Sequence, residues 1–354
     1  MRRPAVILLL LLLAGLAAGA WWYLHLRAPA RPTEASFADL PGWSAGEPAP
    51  ALAAFRRSCT RPLPPPWHAA CRQAATAEDA RRFFESAFTP WRIGDGLVTG
   101  YYEPLLRGSA TRHGAYQTPV YGLPDDLVTV DLGLFRPALQ GQHVTGRLQG
   151  HRLLPYPARA AIDAHPPAAR VLFWGDDPVS VFFLHVQGSG RVQLDDGRVL
   201  RVGYAGQNGR PYTAIGRTLI AQGALTRQAV SMQAIRAWLV AHPAQARGVM
   251  RSDASYVFFQ DTPVGDPSLG AQGTQGVPLT PRGSAAVDPA AHTFGTPVFV
   301  VGQGLFIAQD TGGAIRGPAR ADIFFGFGPA AEDAAGRLKG QTTFYVLLPK
   351  GVAP

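Results

Sequence analysis

Apolar and polar positions alternate over short stretches through most of this chain, and helical spacing appears in only a few places. From Leu97 onward the pattern is strand-like. Val179–Val186 is a run of β-branched and aromatic residues and predicts a buried strand, with His185 as a core histidine inside it. Arg191–Leu194 and Val199–Val202 flank Asp195-Asp196-Gly197, a hairpin signal. Val298–Val301, Leu305–Ala308, Ile323–Phe325 and Thr343–Leu348 are short β segments separated by Gly- and Pro-containing turns, which suggests a small barrel or sandwich. Helical spacing is clearest where Ala80, Phe83, Phe84 and Ala87 share one face. Thr76 and Asp79 before them have the spacing of a capping box, and Pro90 follows. Two more helices are predicted. Tyr212–Gln222 has Gly223 at its C-cap, and Met232–Ala241 has Met232, Ile235 and Leu239 inward and Pro243 after it. No internal repeat is visible.

The first residues have a different pattern. Arg2 and Arg3 precede an uncharged apolar run from Ala5 to Leu24. Small residues follow the leucines, as in a secretory signal. The run is also long enough to span a bilayer, with Trp21, Trp22 and Tyr23 as an interfacial belt. Residues 1–26 are therefore expected to be a signal peptide or an N-terminal membrane anchor. No cysteine follows the run, which excludes a lipoprotein anchor. Residues 27–50, rich in Ala, Pro and Ser, read as a linker.

Composition narrows the function. The chain has 354 residues, 47% of them hydrophobic, which suits a packed core. Its formal charge of +9 is carried almost wholly by arginine, since Lys339 and Lys350 are the only lysines. Basic residues do not gather into a stripe with aromatics, so nucleic acid is not an expected partner. An anionic polymer with peptide carboxylates fits the charge. The two cysteines, Cys59 and Cys71, lie in the part that would be exported, where a disulfide is permitted, with two buried thiols as the alternative. They cannot build a zinc site alone, and no Walker loop or metalloprotease motif is present, so no metal or cofactor is expected. Gln187-Gly188-Ser189-Gly190 lacks the spacing of a nucleophile elbow.

One segment has the character of a chemical site. Ala308–Gly326 brackets Asp310 and Asp322 with apolar residues and glycines. Asp322 opens the run Ile323-Phe324-Phe325. An aspartate beside apolar side chains loses hydration and holds its proton more tightly, as a general acid requires. A second acid nearby acts in the same direction, and glycosidic cleavage needs that environment. The ordinary alternatives are a turn-capping Asp310 and a solvated strand-end Asp322.

Several motifs together resemble the membrane-bound lytic murein transglycosylase A family and its three-aspartate domain. They are Ser284-Ala285-Ala286-Val287-Asp288, Gln309-Asp310-Thr311-Gly312-Gly313-Ala314-Ile315 and Ala321-Asp322-Ile323-Phe324-Phe325-Gly326. Upstream, Val98–Pro104, His185–Gly190 and Val202–Gly209 match in the same order. The resemblance implies a mainly β fold with a few helices. A double-psi β-barrel would be built from residues 51–104 and 253–354. A second β-barrel would be inserted at 105–252, with a substrate groove between the two. It implies cleavage of the β-1,4 bond between N-acetylmuramic acid and N-acetylglucosamine, leaving 1,6-anhydromuramic acid. Asp322 would be the acid and then the base, Asp310 its supporting carboxylate, and Asp288 structural. Thr99, Tyr101, Tyr102, Gln187 and Ser189 would line the sugar groove. The expected partners are peptidoglycan strands and, through the N-terminal segment, the membrane. The enzyme is expected as a monomer on the periplasmic side of the envelope. The competing readings are a hydrolytic muramidase with Asp310 as base, and a non-catalytic expansin-like wall-binding protein. The family's lipid-attachment cysteine is missing here, and the Gly- and Pro-rich stretch Pro263–Pro281 has no legible role.

Overall fold

The computed structural model describes residues 31–354. The apolar N-terminal run lies outside the described residues. Among those described, no helix is long and apolar enough to cross a membrane.

The larger sheet takes strands from both ends of the chain. β1 (Thr33–Glu34) and β2 (Phe88–Glu103) come before the insert. β12 (Ser284–Val287), β13 (Pro297–Val300), β14 (Gly304–Asp310), β15 (Arg320–Phe327) and β16 (Lys339–Pro349) come after it. The order is β1-β2-β15-β12-β14-β13-β16, and β2 also pairs with β16. Six strands therefore close into a barrel, with β1 added outside on β2. The long β2 makes this possible by pairing parallel with β15 and antiparallel with β16. Alternation fills the interior, because Val98, Ala285, Val287, Ala308, Ala321 and Ile323 point into one core.

Three helices cover this barrel, Ala49–Ser58, Trp67–Thr76 and Ala80–Ala87. Phe55, Phe83, Phe84 and Phe88 pack ring against ring beneath them. The third helix buries Ala80, Phe83, Phe84 and Ala87, the face read from the sequence. Its cap is Asp79, whose carboxylate accepts from the Arg82 N–H, and Thr76 instead ends the preceding helix. Cys59 and Cys71 are joined in a disulfide across the proline-rich turn between the first two helices. The bridge closes a sequence separation of 12. Removing it with Cys59→Ser and Cys71→Ser should lower unfolding stability by about 3 kcal/mol, measured by urea titration, with no change in the folded secondary structure.

Residues expected as a linker are packed instead. Thr33–Glu34 pairs with β2, and Leu40 and Trp43 are buried in the barrel's core cluster. Two buried apolar anchors are enough to hold a proline-rich segment that has no periodicity of its own.

The insert is built on β3 (Leu105–Ser109), β4 (Thr118–Tyr121), β8 (Val171–Gly175), β9 (Ser189–Leu194), β10 (Val199–Gln207) and β11 (Val257–Thr262). These pair in the order β11-β10-β9-β3-β8-β4, and a bridge from Gly122 to Phe259 brings the two edges together. β11 carries the insert's sheet past Ser252, the boundary expected from the sequence. A small sheet of β5 (Leu127–Asp131), β6 (His143–Gln149) and β7 (Arg152–Pro155) projects from it. The hairpin around Gly197 (φ +88°) and the helix Met232–Ala241 stand where the sequence placed them. The helix expected from Tyr212 begins at Ile215.

The strand expected at Val179–Val186 is a helix, Pro178–Gln187. The Asp177 carboxylate caps it by accepting from Val179 and Ser180 N–H, Pro178 fits its first turn, and Gly188 closes it in the left-handed region. Five consecutive residues, Val181–His185, are buried, so the run carries no amphipathic period to separate helix from strand, and the end signals decide. His185 is buried on this helix and its Nδ1 accepts from the Val257 N–H at 3.3 Å, a core histidine as expected.

Candidate active site

One row of residues crosses four strands of the barrel at the same level. Thr99 on β2 stands opposite Asp322 on β15, Asp322 opposite Ala286 on β12, and Ala286 opposite Asp310 on β14. Neighbouring strands lie about 4.8 Å apart, so the two aspartates' Cα atoms are separated by about 10 Å with a single methyl side chain between them. Their neighbours Val98, Ala321 and Ile323 point inward, so this row faces out of the barrel.

Asp310 reaches that face because of a bulge. The register passes from Ala285 opposite Ala308 to Ala286 opposite Asp310, leaving Gln309 unpaired. In an unbroken strand Ala308 and Asp310 would share the inward face. Gln309 is fully buried. Its Nε2 donates to Ala54 O and Ser58 Oγ at 2.8 Å each, and Ser284 Oγ donates to its Oε1. That network fixes the bulge against the first helix. A lone polar residue in an otherwise apolar strand was its only trace in the sequence.

The two carboxylates are held differently. Thr99 Oγ1 donates to Asp322 Oδ1 at 2.8 Å. Asp322 is half-buried, and burial pushes its carboxyl above the ordinary range. The Arg320 guanidinium and the Thr99 hydrogen bond oppose that rise, and the charge of Asp310 adds to it. Asp310 accepts three hydrogen bonds. Thr274 N–H and Oγ1 donate to Oδ1 at 3.0 and 2.8 Å, and Tyr101 Oη donates to Oδ2 at 3.0 Å. Burial raises its carboxyl too, against the pull of these donors. The Tyr101 phenol is pushed well above its usual range by burial and by both aspartates, so it remains a donor.

Asp288 has another task. It accepts from Gly317 N–H at 2.7 Å and Ala290 N–H at 3.1 Å, and these bonds, led by Gly317, hold its carboxyl below the ordinary range. It thereby pins the turn that joins β14 to β15. In that turn Gly317 takes a left-handed φ of +94°, whereas Gly312 and Gly313 do not. Nothing lies within 4 Å of where a Gly313 Cβ would stand, so the backbone there is open to close approach.

Of the residues expected to line a groove, Thr99 alone touches Asp322 directly. Tyr101 is buried and acts on Asp310. Tyr102 is only 1% exposed and packs against Ala331 and Ala335 of the helix Gly328–Arg337, so it offers no face to a sugar. Ser189 is likewise buried. The half-buried Gln187 uses its Oε1 to accept from Tyr102 N–H at 3.1 Å. Strand alternation sends Tyr102 to the side of β2 opposite Thr99 and Tyr101. A residue of the insert not singled out in the sequence feels the charge of Asp322. Tyr212 of the insert is 40% exposed, and its phenol is pushed up to about 12 by burial, then by the charges of Asp253 and Asp322. A tyrosine just ahead of a helix carries no mark in the sequence that separates it from a surface residue.

Residues 97–260 match the MltA specific insert domain, and residues 283–348 match the 3D domain. The membrane-bound lytic murein transglycosylase A of Escherichia coli K12 is 31% identical over 281 residues, covering 73% of this chain and 68% of that protein. The chain belongs to the membrane-bound lytic murein transglycosylase A family. The family's fold is seen directly in solved relatives. A membrane-bound lytic murein transglycosylase from Agrobacterium tumefaciens superposes with a TM-score of 0.80 at 33% identity, covering 90% of this chain and 98% of that one. Escherichia coli MltA with bound chitohexaose gives 0.68 at 26% identity, covering 92% and 96%. Members of the family are peptidoglycan lytic transglycosylases, and this chain is an enzyme of that class, associated with the cell envelope.

Proposed function

We propose that Asp322 is the residue that cleaves the glycan strand, acting first as acid and then as base. The observation that carries this is the row Thr99–Asp322–Ala286–Asp310 on the barrel's outer face, with Asp322 half-buried and its carboxyl raised. Protonated Asp322 gives its proton to the oxygen linking N-acetylmuramic acid to N-acetylglucosamine. Positive charge develops at the muramic C1, and ionised Asp310 stabilises it. The Asp322 carboxylate then takes the proton of the muramic C6 hydroxyl, whose oxygen bonds to C1. The product is a 1,6-anhydro ring, and one carboxyl returns to its starting state without water. Thr99 holds Asp322 in place, Tyr101 holds Asp310, and Asp288 shapes the turn between them.

The substrate is a peptidoglycan glycan strand lying between the barrel and the insert, whose division we place at residues 31–104 with 263–354 and 105–262. Chitohexaose in the Escherichia coli relative supports a site that takes several linked amino sugars. The enzyme works as a monomer on the periplasmic side of the envelope, held by or released from its apolar N-terminal segment. Digestion of purified peptidoglycan in ¹⁸O-water tests the chemistry by mass spectrometry. Anhydromuropeptides free of solvent oxygen are expected. Reducing ends carrying the label at C1 would assign hydrolysis and remove this reading.

A further inference from the structure

Residues 263–281, the Gly- and Pro-rich stretch, form a strap from the insert to the acids. Arg191 donates to Pro267 O and Leu269 O at 2.9 and 2.8 Å, and Arg201 donates to Leu269 O at 2.7 Å. Ala271 N–H donates to the Glu103 carboxylate at 2.9 Å. The strap then lies hard against the barrel. A Cβ on Gly270 would stand 2.4 Å from the Phe324 ring, and one on Gly273 would stand 2.7 Å from Gln309 O. Only glycine permits that approach. The next residue, Thr274, turns both its N–H and its Oγ1 onto one oxygen of Asp310. The amide is a donor only, so that oxygen must accept.

We infer that Thr274 is a positioning residue of the reaction, holding Asp310 as a fixed anion beside the proton-carrying Asp322, and that the strap exists to deliver it. The inference rests on the roles proposed above for Asp322 and Asp310. The groups facing Asp310 are Tyr101 from β2, Asp322 with Arg320 beside it from β15, the methyl of Ala286 from β12, and Thr274 from the strap. Two of these are acids or phenols that stay neutral in the working state, and the strap adds no charge. Asp310 therefore depends on hydrogen-bond donors to remain ionised.

Thr274→Val removes the hydroxyl donor and keeps the shape and the amide. On solubilised peptidoglycan strands kcat should fall about tenfold with KM nearly unchanged. The acidic limb of the pH–rate profile should move up by about one unit, because Asp310 protonates more readily. Thr274→Ser should restore both. Thr274→Ala deletes the same donor without the branched bulk and serves if the valine variant fails to fold. The inference is overturned if the deletion variants keep the wild-type kcat and pH profile, or if serine is no better than valine. Asp310→Asn separates the two levels. If that variant keeps wild-type activity, the role given to Asp310 is wrong and this inference goes with it. If it is inactive while the Thr274 variants are unaffected, only the inference about Thr274 falls.

Discussion

Asp322→Asn eliminates anhydromuropeptide formation, with a loss of at least about 10³-fold in turnover on purified peptidoglycan. The amide keeps the size of the side chain and still accepts from Thr99, but it has no proton to give and cannot take one back. The same variant should be more stable than wild type at neutral pH. Burial, the leading cause, raises the Asp322 carboxyl in the folded state. The folded protein therefore holds this proton more tightly than the unfolded chain does. The stability this group contributes is present below the ordinary aspartate range and is lost as pH rises through the raised folded value. Asparagine does not titrate, so its advantage in thermal unfolding should grow from acid pH towards neutral pH. Wild-type activity should fall with rising pH through the same window, as the acid form is consumed. Retention of product formation by Asp322→Asn on mass spectrometry would move the chemistry to another residue.

The largest loss of stability is expected from Glu103→Ala, about 3–5 kcal/mol in urea unfolding. Glu103 is fully buried at the end of β2, two residues before the insert's first strand begins at Leu105. Arg191 Nε lies 3.1 Å from one carboxylate oxygen and Arg201 Nε 3.5 Å from the other, with side-chain exposures of 11% and 4%. Removing the carboxylate leaves two guanidiniums nearly dry and without a counter-charge, which costs far more than the pairing itself contributes. It also frees Ala271 and so loosens the strap, so activity should fall in the protein that remains folded. Glu103→Gln, which keeps the shape and one acceptor oxygen, should fall between alanine and wild type. A change below about 1 kcal/mol for Glu103→Ala would mean that these charges find water after all.

Much of the fold was legible because its signals are local. The strands after Pro297 announce themselves by apolar runs cut by glycine and proline, and the Met232–Ala241 helix by its spacing and caps. Val179–Val186 was misread because its central stretch Val181–His185 is buried on every side and has no period, and the deciding marks were Asp177, Pro178 and Gly188 at its ends. Leu40 and Trp43 are single anchors in an aperiodic segment, so their burial depends on a surface made elsewhere. The insert's sheet runs past Ser252 for a related reason: β11 joins it by pairing with β10, some fifty residues back in the chain.

The amino-acid sequence alone determined the chemistry to look for. Asp310 and Asp322 stand in apolar and glycine-rich surroundings, the motif order ties them to one family, and the alternation in β15 separates Asp322 from Ala321 and Ile323. Those facts depend on neighbours a few residues away. Only the tertiary structure decided which groups meet the acids. Thr99 and Tyr101 arrive from more than 200 residues upstream through parallel pairing of β2 with β15. Thr274 comes from the strap, and the bulge at Gln309 turns Asp310 onto the common face. Register, bulge and strap all rest on contacts between distant segments, and no local pattern of residues encodes which distant partner a strand will find.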